Sequence, residues 1–133
     1  MRRVVAAVAF RGGRVLIARR RGEDEMGGLW EFPGGTVREG EGEEECLIRE
    51  IEEELGVTPK ISGFLGEFTS PRDEITLSAY IVELPSGEYS LKAHDEIRWV
   101  EVRNLVRYEM PEVDRDVVER LLSNSKLFNT LSK

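Results

Sequence analysis

Three glutamates, Glu50, Glu53 and Glu54, stand at positions i, i+3 and i+4 of a segment that is predicted to be helical. This spacing puts their carboxylates on one helix face, within about 6 Å of each other. The three like charges repel, and the neighbouring Arg49 cannot neutralise all of them. A divalent cation such as Mg²⁺ or Mn²⁺ can neutralise them, because these ions prefer oxygen ligands. The same ions also bind phosphate oxygens. The spacing therefore predicts a metal site suited to phosphate chemistry.

The alternative interpretation is a solvated acidic surface, which is the usual role of a glutamate-rich helix. We keep that interpretation for Glu43, Glu44 and Glu45, because carboxylates in the first turn of a helix complement its dipole. No cluster of cysteine or histidine indicates zinc, and no Asp- or Asn-rich loop indicates calcium.

The charge distribution singles out the same segment. The chain has 133 residues with 26 acidic and 19 basic side chains, a net charge of −7. Residues 35–57 contain nine glutamates and two arginines, so they carry the whole net charge and the other residues balance. An acidic protein of this kind does not favour nucleic-acid polymers or anionic membranes as partners.

The remaining composition predicts one domain over residues 1–133 and a cytoplasmic protein. A single cysteine, Cys46, excludes an internal disulfide and fits a reducing compartment. No apolar run reaches the length of a membrane span. The N-terminal MRRVVAAVAF resembles a signal peptide, but no small-residue cleavage site follows it, and we interpret it as a first strand.

Hydrophobic periodicity predicts the elements that position the glutamates. Gly12-Gly13 indicates a hairpin turn, residues 21–29 a polar loop, and Gly56 the C-terminal cap of the acidic helix. The tail from Ser123 is expected to fray. Strands are predicted over 3–10, 15–18, 30–32, 61–69, 75–84 and 97–102, and helices over about 42–55 and 113–122. The order predicts an α/β domain with a mixed sheet and helices packed on it.

The acidic segment, GTVREGEGEEECLIREIEEELGV, resembles the Nudix box, G-x5-E-x7-R-E-U-x-E-E-x-G-U with U aliphatic, and matches every fixed position over residues 35–57. The resemblance implies a Nudix-type α/β/α sandwich in which the Gly35 carbonyl, Glu50, Glu53 and Glu54 hold divalent ions against a pyrophosphate. It also implies that Arg49 orients the carboxylates and that Glu41 supports them. The implied reaction is hydrolysis of a nucleoside diphosphate linked to a further group.

The chemistry of these residues is consistent with that reaction. Attack of water on a phosphoanhydride requires neutralised phosphoryl oxygens and an activated water, and metal ions supply both. A carboxylate beside the water is a suitable general base. We assign this role to Glu53, with Glu50 as the alternative.

Outside the box, VLIARRRGEDEMGGLWEFPGG resembles the MutT-like branch, which includes CTP pyrophosphohydrolases. The resemblance implies a house-cleaning nucleoside triphosphate pyrophosphohydrolase, with Arg20 contacting phosphate and Glu31, Phe32 and Asp114 near the base. Residues 1–22 carry seven arginines and no acid, which supports a phosphate-binding role for this region. A solvated edge strand remains the interpretation for Arg2, Arg3 and Arg21.

Two of these residues have alternative roles. An ionised Asp114 only accepts hydrogen bonds, which favours a base with amino donors such as cytosine; alternatively it caps the terminal helix. Phe32 either stacks on a base or, as its hydrophobicity favours, packs in the core. Trp30 and Trp99 are assigned to the core or its rim.

The chain departs from the branch at Ala93, where relatives often carry an acid six residues before the tryptophan of the penultimate strand. Asp95 or Glu96 is a possible replacement, and we interpret His94 as a loop residue without a catalytic role.

The sequence thus predicts a Mg²⁺-dependent, or Mn²⁺-dependent, pyrophosphohydrolase of nucleoside triphosphates, monomeric or homodimeric, with 8-oxo-dGTP, CTP and dCTP as candidate substrates. The alternatives are hydrolysis of ADP-ribose or a dinucleoside polyphosphate, and an inactive nucleotide-binding module of the same fold.

Overall fold

A computed structural model describes residues 1–23 and 27–124, so part of the predicted 21–29 loop and most of the C-terminal tail lie outside the described residues. The described chain forms seven strands and two α-helices. A 3₁₀ helix over Val102–Arg107 precedes the last helix. The strands are β1 (Arg2–Arg11), β2 (Arg14–Arg20), β3 (Trp30–Glu31), β4 (Gly34–Thr36), β5 (Lys60–Ser70), β6 (Ile75–Glu83) and β7 (His94–Glu101), and the helices are α1 (Glu43–Leu55) and α2 (Glu112–Ser123).

Strand β1 occupies the centre of a mixed sheet. Residues 2–9 of β1 pair in parallel with β6, and residues 4–6 pair antiparallel with β4. The last two residues of β1 pair antiparallel with β2 across the Gly12-Gly13 turn. Strand β2 continues to β3 and β7, and β6 continues to β5, all antiparallel. Both turn glycines have positive φ, at 56° and 80°, as a two-residue hairpin of this kind requires.

Both faces of β1 are buried, which explains why its apolar run is continuous. Val5, Ala7 and Ala9 pack in the cluster that includes α1, whereas Ala6 and Val8 pack in the cluster that includes α2. Alternate residues of a strand face opposite sides, so a helix lies on each face of the sheet. The predicted α/β/α architecture is confirmed.

Helix α1 follows the predicted pattern. Leu47, Ile51 and Leu55 are fully buried against the sheet, and the acidic residues other than Glu54 are more exposed. Gly56 ends the helix with a φ of 72°, and its N–H donates to the Glu52 carbonyl. This left-handed position favours glycine, so the predicted C-cap is confirmed.

The short strand β4 and the 3₁₀ helix were not predicted. The sequence predicted a strand over 30–32 and no strand directly after it, but Gly34 and Gly35 pair with Ala6 and Val5 of β1. A Cβ on Gly34 would collide with the Val5 carbonyl oxygen. Glycine therefore permits the close approach of these strands, which residue propensity alone does not indicate.

The C-terminal elements differ from the prediction mainly in their bounds. Strand β7 begins at His94, three residues before the expected start. The predicted terminal helix is present as α2, and residues after 124 lie outside the described part of the chain. Within residues 1–23 and 27–124, no helix has the length and apolar character needed to cross a membrane.

Candidate active site

Arg49 lies at the centre of an ion-pair network on α1. Its Nε and Nη2 donate to the two carboxylate oxygens of Glu41, at 2.7 and 3.0 Å. Its Nη1 donates to Glu50 at 2.9 Å and lies 3.3 Å from a Glu53 oxygen. The bidentate bond to Arg49 lowers the pKa of Glu41 to about 2, and these acids raise the pKa of Arg49 further above its usual value. One guanidinium therefore orients three carboxylates, including two predicted metal ligands.

The three predicted metal-binding glutamates have different environments. The side chain of Glu53 is 53% exposed, that of Glu50 is 17% exposed, and that of Glu54 is only 10% exposed. Burial, a hydrogen bond with Glu50 and the charge of Glu31 raise the pKa of Glu54 far above its usual range. This environment favours the uncharged form of Glu54 in the ion-free protein.

Gly35 of β4 contacts the carboxyl group of Glu50. A Cβ on this residue would collide with the carboxyl group of Glu50, so the β4 backbone and the Glu50 side chain are in direct contact. The structure thus brings Gly35, Glu50 and Glu54 together. It places Glu53 at the solvent side of Arg49.

A cleft of about 470 Å³ connects the glutamate cluster with the other predicted residues. Gly35 and Glu54 line it, and Glu50, Glu53 and Arg49 do not. All four predicted substrate-binding residues line this cleft. Arg20 lies on β2, Glu31 on β3, Phe32 directly after β3, and Asp114 on α2.

Asp114 does not cap α2, so the capping alternative is wrong. Pro111 occupies the N-cap, and Asp114 is the third residue of the helix, with 5% of its surface exposed. Its Oδ2 accepts a hydrogen bond from the Phe32 N–H at 3.0 Å. Burial, with a contribution from the charge of Glu31, raises the pKa of Asp114 to about 7. The carboxyl group can therefore donate a proton as well as accept one near neutral pH, unlike the ionised form assumed from the sequence.

Phe32 and the two tryptophans are packed as expected. Phe32 is 3% exposed and belongs to the core cluster on the α2 side, although part of it also lines the cleft. Trp30 is in the same cluster and contacts Tyr108 edge to face, with ring centroids 5.3 Å apart. Trp99 is partly buried on the other side of the sheet.

His94 is not a loop residue, which corrects the prediction. It begins β7, its side chain is 2% exposed, and its Nε2 lies 2.8 Å from Glu31 Oε2 and 3.9 Å from Glu54 Oε1. The other Glu31 oxygen accepts a hydrogen bond from Arg20 Nη1 at 3.1 Å. His94 therefore belongs to the cleft. The polar sequence before Ile97 gave no periodicity that would extend the strand back to it.

The proposed replacements for the acid missing at Ala93 are not in the cleft. Glu96 forms ion pairs with Arg98 at 2.6 Å and Arg19 at 3.7 Å, and Asp95 is exposed. Ala93 itself lines the cleft, beside His94. The structure therefore does not bring Asp95 or Glu96 into the cleft, where His94 is the polar side chain next to Ala93.

A family model described as the NUDIX domain matches residues 1–121. The chain belongs to the Nudix hydrolase family. The match extends well beyond residues 35–57 and includes all the elements that form the cleft. Nudix hydrolases generally use divalent metal ions and act on small nucleotide substrates.

Two curated relatives and one solved structure resemble this Nudix chain over most of its length. CTP pyrophosphohydrolase of Escherichia coli (strain K12) is 27% identical and aligns over 90% of both chains. 8-oxo-dGTP diphosphatase of the same organism is 29% identical, with 88% of this chain and 92% of that protein covered. The crystal structure of MutT protein from Methanosarcina mazei Go1 has a TM-score of 0.79 and 27% identity, covering 94% of this chain and 95% of the other.

The residues of this Nudix cleft fit a divalent cation. Glu54 Oε1 is buried and has no hydrogen-bond partner among the described residues. A buried oxygen in this state is costly, and a bound cation would satisfy it. The other donors are carboxylates, which suit Mg²⁺ and Mn²⁺, and one imidazole, which suits Mn²⁺ and other transition ions.

Sequence reasoning also missed Arg2 as a residue of the cleft. It was assigned to a solvated edge strand, yet it lines the cleft while remaining exposed. Arg3 forms ion pairs with Glu43 and Glu67 instead. The pairing of β1 with β4 and β6, which a single strand pattern does not encode, determines which arginine faces the cleft.

Proposed function

We propose that this protein is a Mg²⁺-dependent pyrophosphohydrolase of nucleoside triphosphates, able to use Mn²⁺, that releases a nucleoside monophosphate and pyrophosphate. The observation that carries the proposal is the single cleft in which Gly35 and Glu54 of the Nudix box meet Arg20, Phe32 and Asp114. Its volume of about 470 Å³ is in the range of small-molecule sites.

The chain's own residues have separable roles in this reaction. Divalent ions bound at the glutamates supply charge neutralisation and an activated water. Arg49 keeps the carboxylates of Glu50 and Glu53 in place through its hydrogen bonds. Arg20, one-third exposed at the cleft, offers a guanidinium to phosphate oxygens. Glu53, open to water, is the proposed general base, with Glu50 as the alternative.

The base of the substrate is proposed to bind near Phe32 and Asp114. The names of the two relatives support CTP and 8-oxo-dGTP as candidates, and we add dCTP because it carries the same base as CTP. A carboxyl group whose pKa is about 7 can meet either a donor or an acceptor on a base edge. Asp114 therefore suits cytosine and oxidised guanine alike, and the choice between them requires measurement.

A substrate panel tests this proposal. The protein would be incubated with Mg²⁺ or Mn²⁺ and canonical and oxidised nucleoside triphosphates, ADP-ribose or dinucleoside polyphosphates, and the products separated chromatographically. Monophosphate and pyrophosphate from CTP, dCTP or 8-oxo-dGTP support the proposal. Exclusive turnover of ADP-ribose or a dinucleoside polyphosphate would replace it with another hydrolysis of the same family. Nucleotide binding without turnover would identify a binding module.

A substitution of Glu53 tests the assignment of the base. The E53Q variant is expected to lose 10²-fold or more of kcat, about what removal of a general base costs. Glu52→Gln is the matched control, because Glu52 lies next to Glu53 on α1 but accepts a hydrogen bond from Thr58 at 2.7 Å, whereas Glu53 accepts one from Arg49. Full activity of E53Q with a continuing metal requirement would move the base to another residue, with Glu50 next.

Location and assembly belong to the same proposal. The single, unpaired Cys46 supports a cytoplasmic protein. A monomer or homodimer is proposed, and light scattering during size-exclusion chromatography distinguishes the two.

A further inference from the structure

Glu31, Glu54 and His94 form a compact cluster from three separate elements, β3, α1 and β7. One potential ligand atom from each residue lies within 4.8 Å of the others. His94 Nε2 is 2.8 Å from the Glu31 oxygen and 3.9 Å from the Glu54 oxygen. The cluster lines the cleft, and a hydrogen bond between Glu54 and Glu50 links it to the carboxylates that Arg49 binds.

These separations are close to those of ligands around one small ion. In an octahedral complex with bonds of about 2.1 Å, adjacent ligand atoms lie about 3 Å apart and opposite ones about 4.2 Å apart. The two distances from His94 Nε2, 2.8 and 3.9 Å, lie near these limits. All three ligand atoms lie within 4.8 Å of one another, so rearrangement of the side chains alone would bring them around one ion.

A second observation points to a ligand at this place. The Glu54 side chain is nine-tenths buried, and its Oε1, which faces His94, has no hydrogen-bond partner among the described residues. Glu31 is already oriented, because Arg20 Nη1 binds one of its oxygens and leaves the other directed at His94. The cluster thus combines an oriented carboxylate, an imidazole and an unsatisfied buried oxygen.

We propose that Glu31, Glu54 and His94 form a cation site that prefers first-row transition ions such as Mn²⁺ or Co²⁺ to Mg²⁺. Imidazole nitrogen is a good ligand for transition ions, whereas Mg²⁺ prefers oxygen alone. The site shares Glu54 with the ligand set of the proposed function and therefore rests on it in part. His94 gives the site a nitrogen ligand next to Ala93 in the cleft.

Pulsed electron paramagnetic resonance on the Mn²⁺-loaded full chain tests the proposal without any substrate. His94 is the one histidine of the sequence, so nitrogen coupling from an imidazole reports on it alone, provided that no histidine tag is present. Wild-type protein is expected to show this coupling, and His94→Gln to lack it. Glu96→Gln, an acid two residues further along β7 whose partners are Arg19 and Arg98, is expected to retain it.

Calorimetric titration measures the selectivity of the site for Mn²⁺ over Mg²⁺. His94→Gln is expected to weaken Mn²⁺ binding at least about tenfold and Mg²⁺ binding by no more than about threefold. Equal losses for both ions, or Mn²⁺ bound to the wild type without imidazole coupling, would overturn the proposal. The wild-type spectrum decides the matter even if the variant does not fold.

The outcome is independent of turnover. Imidazole coupling in a protein that hydrolyses no nucleoside triphosphate upholds this site and refutes the proposed function. Hydrolysis of a nucleoside triphosphate by a protein without that coupling upholds the proposed function and refutes this site.

Discussion

Replacement of Asp114 by asparagine tests how strongly burial controls the charge in the cleft. Asp114 is 5% exposed and accepts the Phe32 N–H, and an asparagine side-chain oxygen can accept the same hydrogen bond. The two side chains are nearly equal in shape, but only aspartate ionises. The D114N variant therefore removes the titration and preserves the packing.

The magnitude follows from the pKa of Asp114, which burial raises from 3.8 to about 7. Because one pKa unit corresponds to about 1.4 kcal/mol, the shift of roughly three units amounts to at most about 4 kcal/mol. The folded protein keeps this proton between pH 3.8 and about 7, while the unfolded chain has lost it. The stability contributed by the group is fully present below pH 3.8 and decreases as the pH rises to about 7.

The assay is denaturant unfolding in the presence of a chelator, from about pH 4 to about pH 8. The free energy of unfolding of D114N, relative to wild type, should rise with pH by up to about 4 kcal/mol. Asp116→Asn, a half-buried position on the same helix, controls for the general effect of an added amide. A difference between D114N and wild type that is the same at every pH would refute the reasoning.

Two further predictions concern the backbone contact of β4 and the network of Arg49. Gly34→Ala should destabilise the fold by about 2 kcal/mol or more, measured by denaturant unfolding, because the new Cβ overlaps the Val5 carbonyl. Gly22→Ala, where a Cβ meets nothing within 4 Å, should change the free energy by less than about 0.5 kcal/mol, and equal effects would contradict the steric argument. Arg49→Lys keeps the charge but loses the fork that binds Glu41, and should weaken Mn²⁺ binding about tenfold in calorimetry. Exposed Arg38→Lys should leave it unchanged, and unaltered binding in R49K would show that the network does not position the ligands.

The main elements were predictable because their patterns are local. Helix α1 buries Leu47, Ile51 and Leu55 at the spacing that indicated an amphipathic helix, and Gly56 ends it. The hairpin at Gly12-Gly13 was equally clear. The missed strand β4 depends instead on a contact with β1 that only glycine permits, and such contacts between distant segments have no local signal.

The site shows the same division between local and long-range information. The spacing within α1 predicted that Glu50 and Glu54 share a face, and the structure brings them together with Gly35. His94 was missed because its position in the cleft results from the pairing of β7 with β2, which aligns it with Arg20. The only signal for His94 in the sequence was its place just before an apolar alternation. Its neighbours Asp95 and Glu96 were considered instead because they are acids, but they do not line the cleft.

The structure also changes the meaning of the net charge. The acidic segment, residues 35–57, does not form one uniform negative surface. Glu43 binds Tyr80 and Arg3, Glu41 neutralises Arg49, and Glu54 is buried with a raised pKa. The raised pKa of Glu54 favours its uncharged form in the ion-free protein, and this reduces the negative charge below the formal value of −7. Cation binding must displace the proton of the uncharged form, and cation affinity in this cleft should therefore increase with pH.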